Sequence, residues 1–463
     1  MENNDRRSYI LGAPLGRLMV TLSLPAIVGM VVIGLYTFVD AIYAGQLIGT
    51  NAMGAVSIAY PFTFINSGFA SLIGMGSASV LSRAIGARDQ KTIDGIMGNL
   101  MVMNIVISVV SAVFVITFAR PLLSITGAEE EILDLAVSYL QIIYCGSLFV
   151  NFAQSSNMVM RGEGIMVKAM AIMGGGAVLN MILSPIFILS MRDSGFGLQG
   201  AALATVVSQF VQAAVMLWWF MKKEKVACIH RVQIDREILQ GVLKVGISAL
   251  LMQVLNLVQQ AAIYRAAAAW GGAEWQILFG AAIRMQSFAF IPLWGMSNGL
   301  QPAVGTNYGA GAFARTRRIA LTFCAGSTVL CLIFWIPAMV MPEWVLGLFI
   351  TDPAIVAMGV ADFRLFFAPF LLYGVMIMAI TYLQSTGEGG KAAVLTICRP
   401  VLFFIPAVLL VPLLTGTGVH GVWIACVVAD MLVLVMAAWL MSASFKRMDR
   451  TNCLQLDNDS FWE

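Results

Sequence analysis

The chain has 463 residues, 60% of them hydrophobic and only 11% charged, with a mean hydropathy of +0.87. A water-soluble chain carries roughly a quarter charged residues, so this composition excludes a surface that faces water throughout. The net charge of +3 is too small and too scattered to suit a nucleic-acid partner.

Residues 1–17 are polar and basic and lead into a full-length apolar run with no small-residue cleavage site, so the first helix is expected to stay in place. A helix needs about 20 apolar residues to cross the bilayer core. Runs of that length are predicted near 18–45, 52–81, 93–119, 133–160, 165–190 and 198–221. A basic stretch from Lys222 to Lys244 follows, then runs near 242–269, 276–304, 318–341, 357–384, 392–414 and 420–444, and a polar tail. The alternating pattern of a membrane β-barrel is absent. Lysine and arginine placement tests the count. With the N-terminus inside, 22 of the 27 basic residues fall on the cytoplasmic side, Lys391 and Arg399 among them, whereas Arg120, Arg192 and Arg265 fall outside and Arg284 and Arg364 within spans. That bias is the positive-inside rule, and one missed span would destroy it. The seven cysteines are dispersed, with no metal-binding spacing and no disulfide framework.

The halves repeat. Ser82-Arg83-Ala84-Ile85-Gly86-Ala87 answers Gly305-Thr306-Asn307-Tyr308-Gly309-Ala310, Arg161-Gly162-Glu163-Gly164 answers Thr386-Gly387-Glu388-Gly389, and Gly197-Leu198-Gln199-Gly200 answers Gly418-Val419-His420-Gly421. The offsets are 223, 225 and 221. An even number of spans per half gives both halves the same direction, so the expected fold is an all-α membrane protein of twelve transmembrane helices in two six-helix lobes related by a pseudo-two-fold axis along the membrane normal. The segments are then a cytoplasmic N-terminus 1–17, an N-terminal lobe 18–221, a cytoplasmic basic linker 222–241, a C-terminal lobe 242–444 and a cytoplasmic tail 445–463. A cleft between two such lobes suits alternating access to a central site.

Asp40 is the most informative residue. A carboxylate in a span costs roughly 2.5–3.5 kcal/mol on insertion scales, so such acids usually face a wet cavity and bind a proton, a cation or a basic partner. An acid solvated at the outer mouth is the plainer alternative. Arg284, at depth in the eighth span, could repel cations, favour anions or bond carbonyls, and Asp430 in the twelfth could serve packing or function. Aromatic and thioether side chains suit an adaptable pocket, and Tyr36, Phe38, Phe64 and Phe152 are candidates for its wall, with Gln253, Asn256 and Arg284 from the second half.

Leu24-Pro25 with Leu35-Tyr36-Thr37-Phe38-Val39-Asp40 resembles the first helix of the multidrug and toxic compound extrusion (MATE) family. Gly74-Met75-Gly76-Ser77-Ala78 through Ala87, Leu179-Asn180-Met181-Ile182-Leu183-Ser184-Pro185, and Gly197 through Thr205 resemble its second, fifth and sixth helices. The resemblance covers residues 15–444. It implies a secondary antiporter of the cell membrane (the inner membrane where there are two), with both termini cytoplasmic, that exports amphipathic, often cationic compounds in exchange for H⁺ or Na⁺. It also implies that Tyr139, Asn157, Asn180 and Thr205 stand beside Asp40 as the cation-coupling site, with Asp40 and Asn180 as ligands if the ion is Na⁺. No other cofactor and no nucleic acid are expected; the partners are small-molecule substrates and the bilayer, and the protein is expected to be a monomer. Some members carry a second acid on the fifth helix, where this chain has Ser184, and others carry acids on the seventh helix and mid-tenth. Here the seventh span offers Gln253, Asn256, Gln259 and Gln260, and the tenth has Asp362 and Arg364 only near its outer end. The lone Asp40 therefore suggests one coupled cation per cycle, and H⁺ rather than Na⁺.

A specialised exporter or flippase of a lipid-linked or natural-product substrate is the rival reading, although a phosphate carrier should line its cavity with several basic residues. An enzyme is disfavoured, because the only histidines, His230 and His420, lie near loops and no nucleophile motif or metal triad exists. A channel would need a filter segment or charged ring.

Overall fold

A computed structural model describes residues 3–43, 47–48, 50–124, 130–192, 195–222, 226–229, 232 and 234–459, with side chains at 37–38, 40–42, 50–51, 53, before 6 and after 449 outside the description. The described residues are almost entirely helical. A short α1 (Asn3–Gly12) precedes α2 (Leu15–Tyr43), α3 (Thr50–Ala87), α4 (Gln90–Ser124), α5 (Glu130–Cys145), α6 (Ser147–Gly162), α7 (Met166–Arg192) and α8 (Gly197–Met221). The second half holds α9 (Arg236–Gly271), α10 (Ala273–Gly309), α11 (Phe313–Val340), the short α12 (Pro342–Gly347), α13 (Pro353–Phe367), α14 (Phe370–Ser385), α15 (Gly389–Ile397), a π-helical turn at Cys398–Phe404, α16 (Ile405–Thr415) and α17 (Val419–Asp459). Among the described residues ten helices are long and apolar enough to cross a membrane, and twelve spans result if α5 with α6 and α13 with α14 each form one span.

Those two spans are bent, by 55° between α5 and α6 and by 40° between α13 and α14. They are the fourth and the tenth, so the bend recurs with the repeat. Helices α13, α14 and α15 begin 223 residues after α5, α6 and α7. The left-handed glycines after the broken spans, Gly164 and Gly387, both have φ 78° and are 223 apart as well. The structural counterpart of Gly164 is thus Gly387, not the Gly389 that the sequence repeat aligns with it, because a backbone that turns through positive φ favours glycine at that one position.

The chain forms two compact units. One comprises Met1–Arg7 and Val28–Gln253; the other comprises Ser8–Ile27 and Val254–Glu463. Helices α2 and α9 therefore each contribute one part to each unit.

Within the first unit α4 shows why these helices belong in lipid. It buries Asn99, Asn104, Ser108 and Ser111 and exposes Val106, Val109, Val110, Val113, Phe114 and Phe118. Apolar outside and polar inside is the reverse of a helix on a soluble protein, and it suits a solvent of hydrocarbon. Asp89 starts α4, accepting from the Thr92 hydroxyl at 2.6 Å and the Thr92 amide at 3.2 Å, and those bonds hold its carboxyl below the usual carboxylate range. The linker docks onto the same unit: Ala227 N donates to Glu163 Oε1 at 3.3 Å and Asp235 N to Asn99 Oδ1 at 3.0 Å.

Helices α3 and α9 meet backbone to backbone. A Cβ on Gly76 would strike the Val242 carbonyl, and one on Gly246 the Leu72 carbonyl. In lipid, where no hydrophobic force draws helices together, such small-residue contacts supply the packing. The second unit has one continuous core in which the Phe279 and Trp423 rings stack at 3.6 Å, with Phe366 edge-on to Trp423. Gly246→Val should cost about 1–3 kcal/mol by overpacking against backbone that cannot move aside, whereas Gly175→Ala, with nothing within 4 Å, should be neutral. Thermal midpoints of the two purified variants in detergent check this.

Candidate functional site

Asn180 sits on α7 with 2% of its surface exposed. Its Nδ2 donates to Ser208 Oγ at 3.0 Å and to Thr205 Oγ1 at 3.2 Å on α8, and its Oδ1 accepts from Ser184 Oγ at 3.0 Å. The two hydroxyls of α8 in turn donate to carbonyls of their own helix, Thr205 to Ala201 at 3.1 Å and Ser208 to Thr205 at 2.9 Å. Every described polar group here is satisfied within the protein, as lipid requires. The structure thus joins Asn180 to Thr205 and adds Ser184 and Ser208. The serines are easily passed over in sequence because a lone hydroxyl in a span usually bonds its own helix. Ser184, noted as the place of a missing acid, occupies that place as a hydrogen-bond donor.

A second buried ladder links α3, α4 and α6. Asn151 Nδ2 donates to Ser108 Oγ at 2.9 Å and to Asn66 Oδ1 at 3.2 Å, and Asn104 Nδ2 donates to Ser155 Oγ at 2.9 Å. The Oδ1 atoms of Asn104, Asn151 and Asn157 are buried with no partner among the described residues. Neutral amide oxygens of this kind suit water, a proton carrier or a hard cation such as Na⁺. The one legible signal was polar recurrence at four-residue spacing, 104 with 108 and 147, 151 and 155, which places each set on one helix face.

Asp40 and Phe38 belong to α2, but their side chains lie outside the described residues. Asn157 donates to the Ala169 carbonyl at 2.6 Å, eleven residues before Asn180 on α7, so about 16 Å of helix separates the two levels. Tyr139 packs half-buried beside a cluster with Leu133, Leu140 and Tyr144. Tyr36 is half-buried. Phe64 stacks on Tyr60 at 5.6 Å, and Phe152 packs against the α3–α4 core. Gln253 lies half-buried near Gly68 in the first unit and Asn256 half-buried in the second. Arg284 is exposed on α10.

The second unit is not free of deep acids. Asp430 on α17 keeps 6% exposure, accepts from Arg399 Nε at 3.0 Å and accepts from the Tyr373 hydroxyl of α14. Arg399, which charge counting assigns to the cytoplasmic side, lies inside the span Gly389–Thr415. Its counter-charge on the neighbouring span makes that depth tolerable, and a count along one chain cannot see such a partner. Asp362 takes a bond with His420 Nδ1 at 2.8 Å, and Trp275 meets the His420 ring edge-on. Among the described residues no group of three His, Cys, Asp or Glu side chains could hold a metal ion.

The MatE family profile matches residues 25–186 and 278–409. The chain is 26% identical over 413 residues to the multidrug export protein MepA of Staphylococcus aureus strain N315, covering 87% of this chain and 90% of that one. It is also 26% identical over 433 residues to an FAD transporter of Shewanella oneidensis strain MR-1, covering 92% and 94%. A crystal structure of a MATE protein in the bent conformation superposes with a TM-score of 0.90 at 26% identity, covering 96% of this chain and 99% of that one. An outward-facing multidrug resistance MATE transporter gives 0.88 at 25%, covering 95% and 98%.

Interhelical bonds in membranes average about 0.6 kcal/mol, so Asn180→Ala, which loses two bonds to α8 besides one within α7, should cost about 1.2 kcal/mol or more, and Asn157→Ala, which loses one, about 0.6 kcal/mol. The order of their thermal midpoints in detergent tests this.

Proposed function

The chain belongs to the MatE family of membrane transporters, and on that premise we propose that it exports amphipathic, often cationic compounds in exchange for an inward-moving proton. It is a multi-pass membrane protein and a transporter, not an enzyme. The reading assigns the coupling site to the first unit, with Asp40 as proton acceptor and Asn180, Thr205, Asn157 and Tyr139 as the polar surroundings that admit ion and water. The repeats 18–221 and 242–444 act as the two moving lobes, joined by a cytoplasmic linker, with both termini cytoplasmic and the protein working as a monomer.

The observation that carries this reading is the network around Asn180. An amide and three hydroxyls from two spans, gathered in the unit that also holds Asp40, give that unit a polar patch inside the membrane whose oxygens can attend a passing ion or water. Arg284 and Arg364 are exposed and far apart in the chain, and Arg399 is paired with Asp430, which among the described residues is too little for a lipid-phosphate carrier. The FAD transporter relative, at the same identity as the multidrug exporter, favours a second reading in which the substrate is one specific metabolite.

Energetics permit the proposed exchange. One cation moving through 100 mV releases about 2.3 kcal/mol and a tenfold ion gradient about 1.4 kcal/mol, which together sustain several-hundredfold accumulation of a neutral compound. A monovalent cationic substrate exchanged one for one is electroneutral and is driven by the ion gradient alone.

In energised vesicles the parent should expel a fluorescent cationic dye under an imposed pH gradient and not under a Na⁺ gradient, and Asp40→Asn should lose at least tenfold in rate. Normal export by that variant would remove Asp40 from the mechanism. Export driven only by Na⁺ would change the ion, and no export of any dye would favour the single-metabolite reading.

A further inference from the structure

Three side chains from three spans meet inside the second unit and play no part in the reading above. Asp430 Oδ1 accepts from Arg399 Nε at 3.0 Å and Oδ2 from the Tyr373 hydroxyl, while the Arg399 guanidinium lies 5.7 Å from the Tyr373 ring centroid. Arg399 and Asp430 both stand well inside their spans, Gly389–Thr415 and Val419–Asp449. Arg399 is carried by the π-helical turn Cys398–Phe404. Such wide turns are rare in ordinary helices and gather at functional sites.

The repeat gives the cluster a meaning. Helix α17 begins at Val419 and α8 at Gly197, so the twelfth residue of α17 is Asp430 and the twelfth residue of α8 is Ser208. Ser208 is the hydroxyl that accepts from Asn180. The charged cluster therefore lies between the fifth and sixth spans of the second half, at about the same depth along its last helix as the neutral network of the first.

We propose that Asp430 is a second proton-binding site of this transporter, closed by Arg399 and Tyr373 and reported to the protein by the release and recapture of Arg399. The inference rests on the proton-exchange reading for its role in transport, although proton binding at Asp430 stands or falls by itself. Three considerations select the proton as ligand. A metal cation would meet the Arg399 charge at the same oxygen. Asp430 keeps only 6% exposure, so a larger ligand has no access to it. A proton needs no room, and a carboxylate between a hydroxyl and a guanidinium has both a place for it and a partner that responds. The titratable groups that face Asp430 are Tyr373 from α14, Arg399 from the π turn and Cys426 one turn earlier on α17. The acid of α13, Asp362, is bonded to His420 ten residues away, and Cys331 of α11 lies against the Gly374 backbone.

The step balances. A proton arriving on Oδ1 makes Asp430 neutral, the Nε–H of Arg399 loses its acceptor, and Tyr373 keeps its bond to Oδ2. The site passes from neutral to a single positive charge carried by the guanidinium, whose side chain is 18% exposed where that of Asp430 is 6%. The new charge thus appears on the more exposed of the two side chains. Loss of the proton restores the pair. With a proton at each half, the export gradient a given pH difference supports is the square of the one-proton value.

Infrared difference spectra of the purified parent on acidification should show a carboxylic-acid carbonyl band that disappears in Asp430→Asn and persists in Asp40→Asn. In proteoliposomes the slope of log dye gradient against pH gradient should halve in Asp430→Asn. Should that variant fold poorly, the neutral pair Asp430→Asn with Arg399→Gln keeps the helices together without charge and should show the same halved slope. A band and slope unchanged by Asp430→Asn overturn the proposal, and so does a variant that only melts earlier while its folded fraction keeps the parent slope. A parent indifferent to pH gradients that still shows the Asp430 band refutes the exchange reading and leaves the site standing.

Discussion

Hydrocarbon offers no partner to an amide, a hydroxyl or a charge, so each one inside a span must find its partner in the protein or face water. That constraint organises this molecule. It turns α4 inside out, with asparagine and serine inward and valine and phenylalanine outward. It draws α7 to α8 through Asn180, links α3, α4 and α6 through Asn66, Ser108 and Asn151, and fastens α17 to the eleventh span through Asp430 and Arg399. Helices otherwise free to slide in lipid are held in register at a few polar points. Those points are also where a proton or cation can bind.

The two halves share geometry and differ in chemistry. Both bend their fourth span, both turn through a left-handed glycine after it, and both gather polar side chains between the fifth and sixth spans. In the first half those side chains are neutral and in the second they are a charged pair with a tyrosine. Neutral amides and hydroxyls can reorganise around an arriving ion at small cost, whereas a buried pair holds firmly until one partner is neutralised. A shared scaffold with unequal sites suits a cycle in which the halves respond at different moments.

Much of this was legible in sequence, and the gaps have physical causes. Apolar runs located the spans because the bilayer imposes a length on any sequence that crosses it. Hydropathy averages across a bend, so the breaks at Gly146 and at Ala368–Pro369 left no mark in it. Asn180 and Thr205 are legible, and Ser184 stands one turn from Asn180 on the same helix, but the bonds from Asn180 to Thr205 and Ser208 depend on the rotation of α7 against α8, which no one-dimensional pattern contains. Arg399 was misassigned for the same reason: its partner is 31 residues away on another helix. The family resemblance supplied the place of Asp40, and its chemistry there is a matter for solution measurement.

The most direct test is proton release when a cationic dye binds the purified protein in weakly buffered detergent near neutral pH. Exchange at a shared transporter requires that substrate binding expel the coupling ion, so the account predicts a measurable acidification with the parent and a clear reduction of it with Asp40→Asn. Dye that binds with no proton release, and with an affinity indifferent to pH, would contradict it.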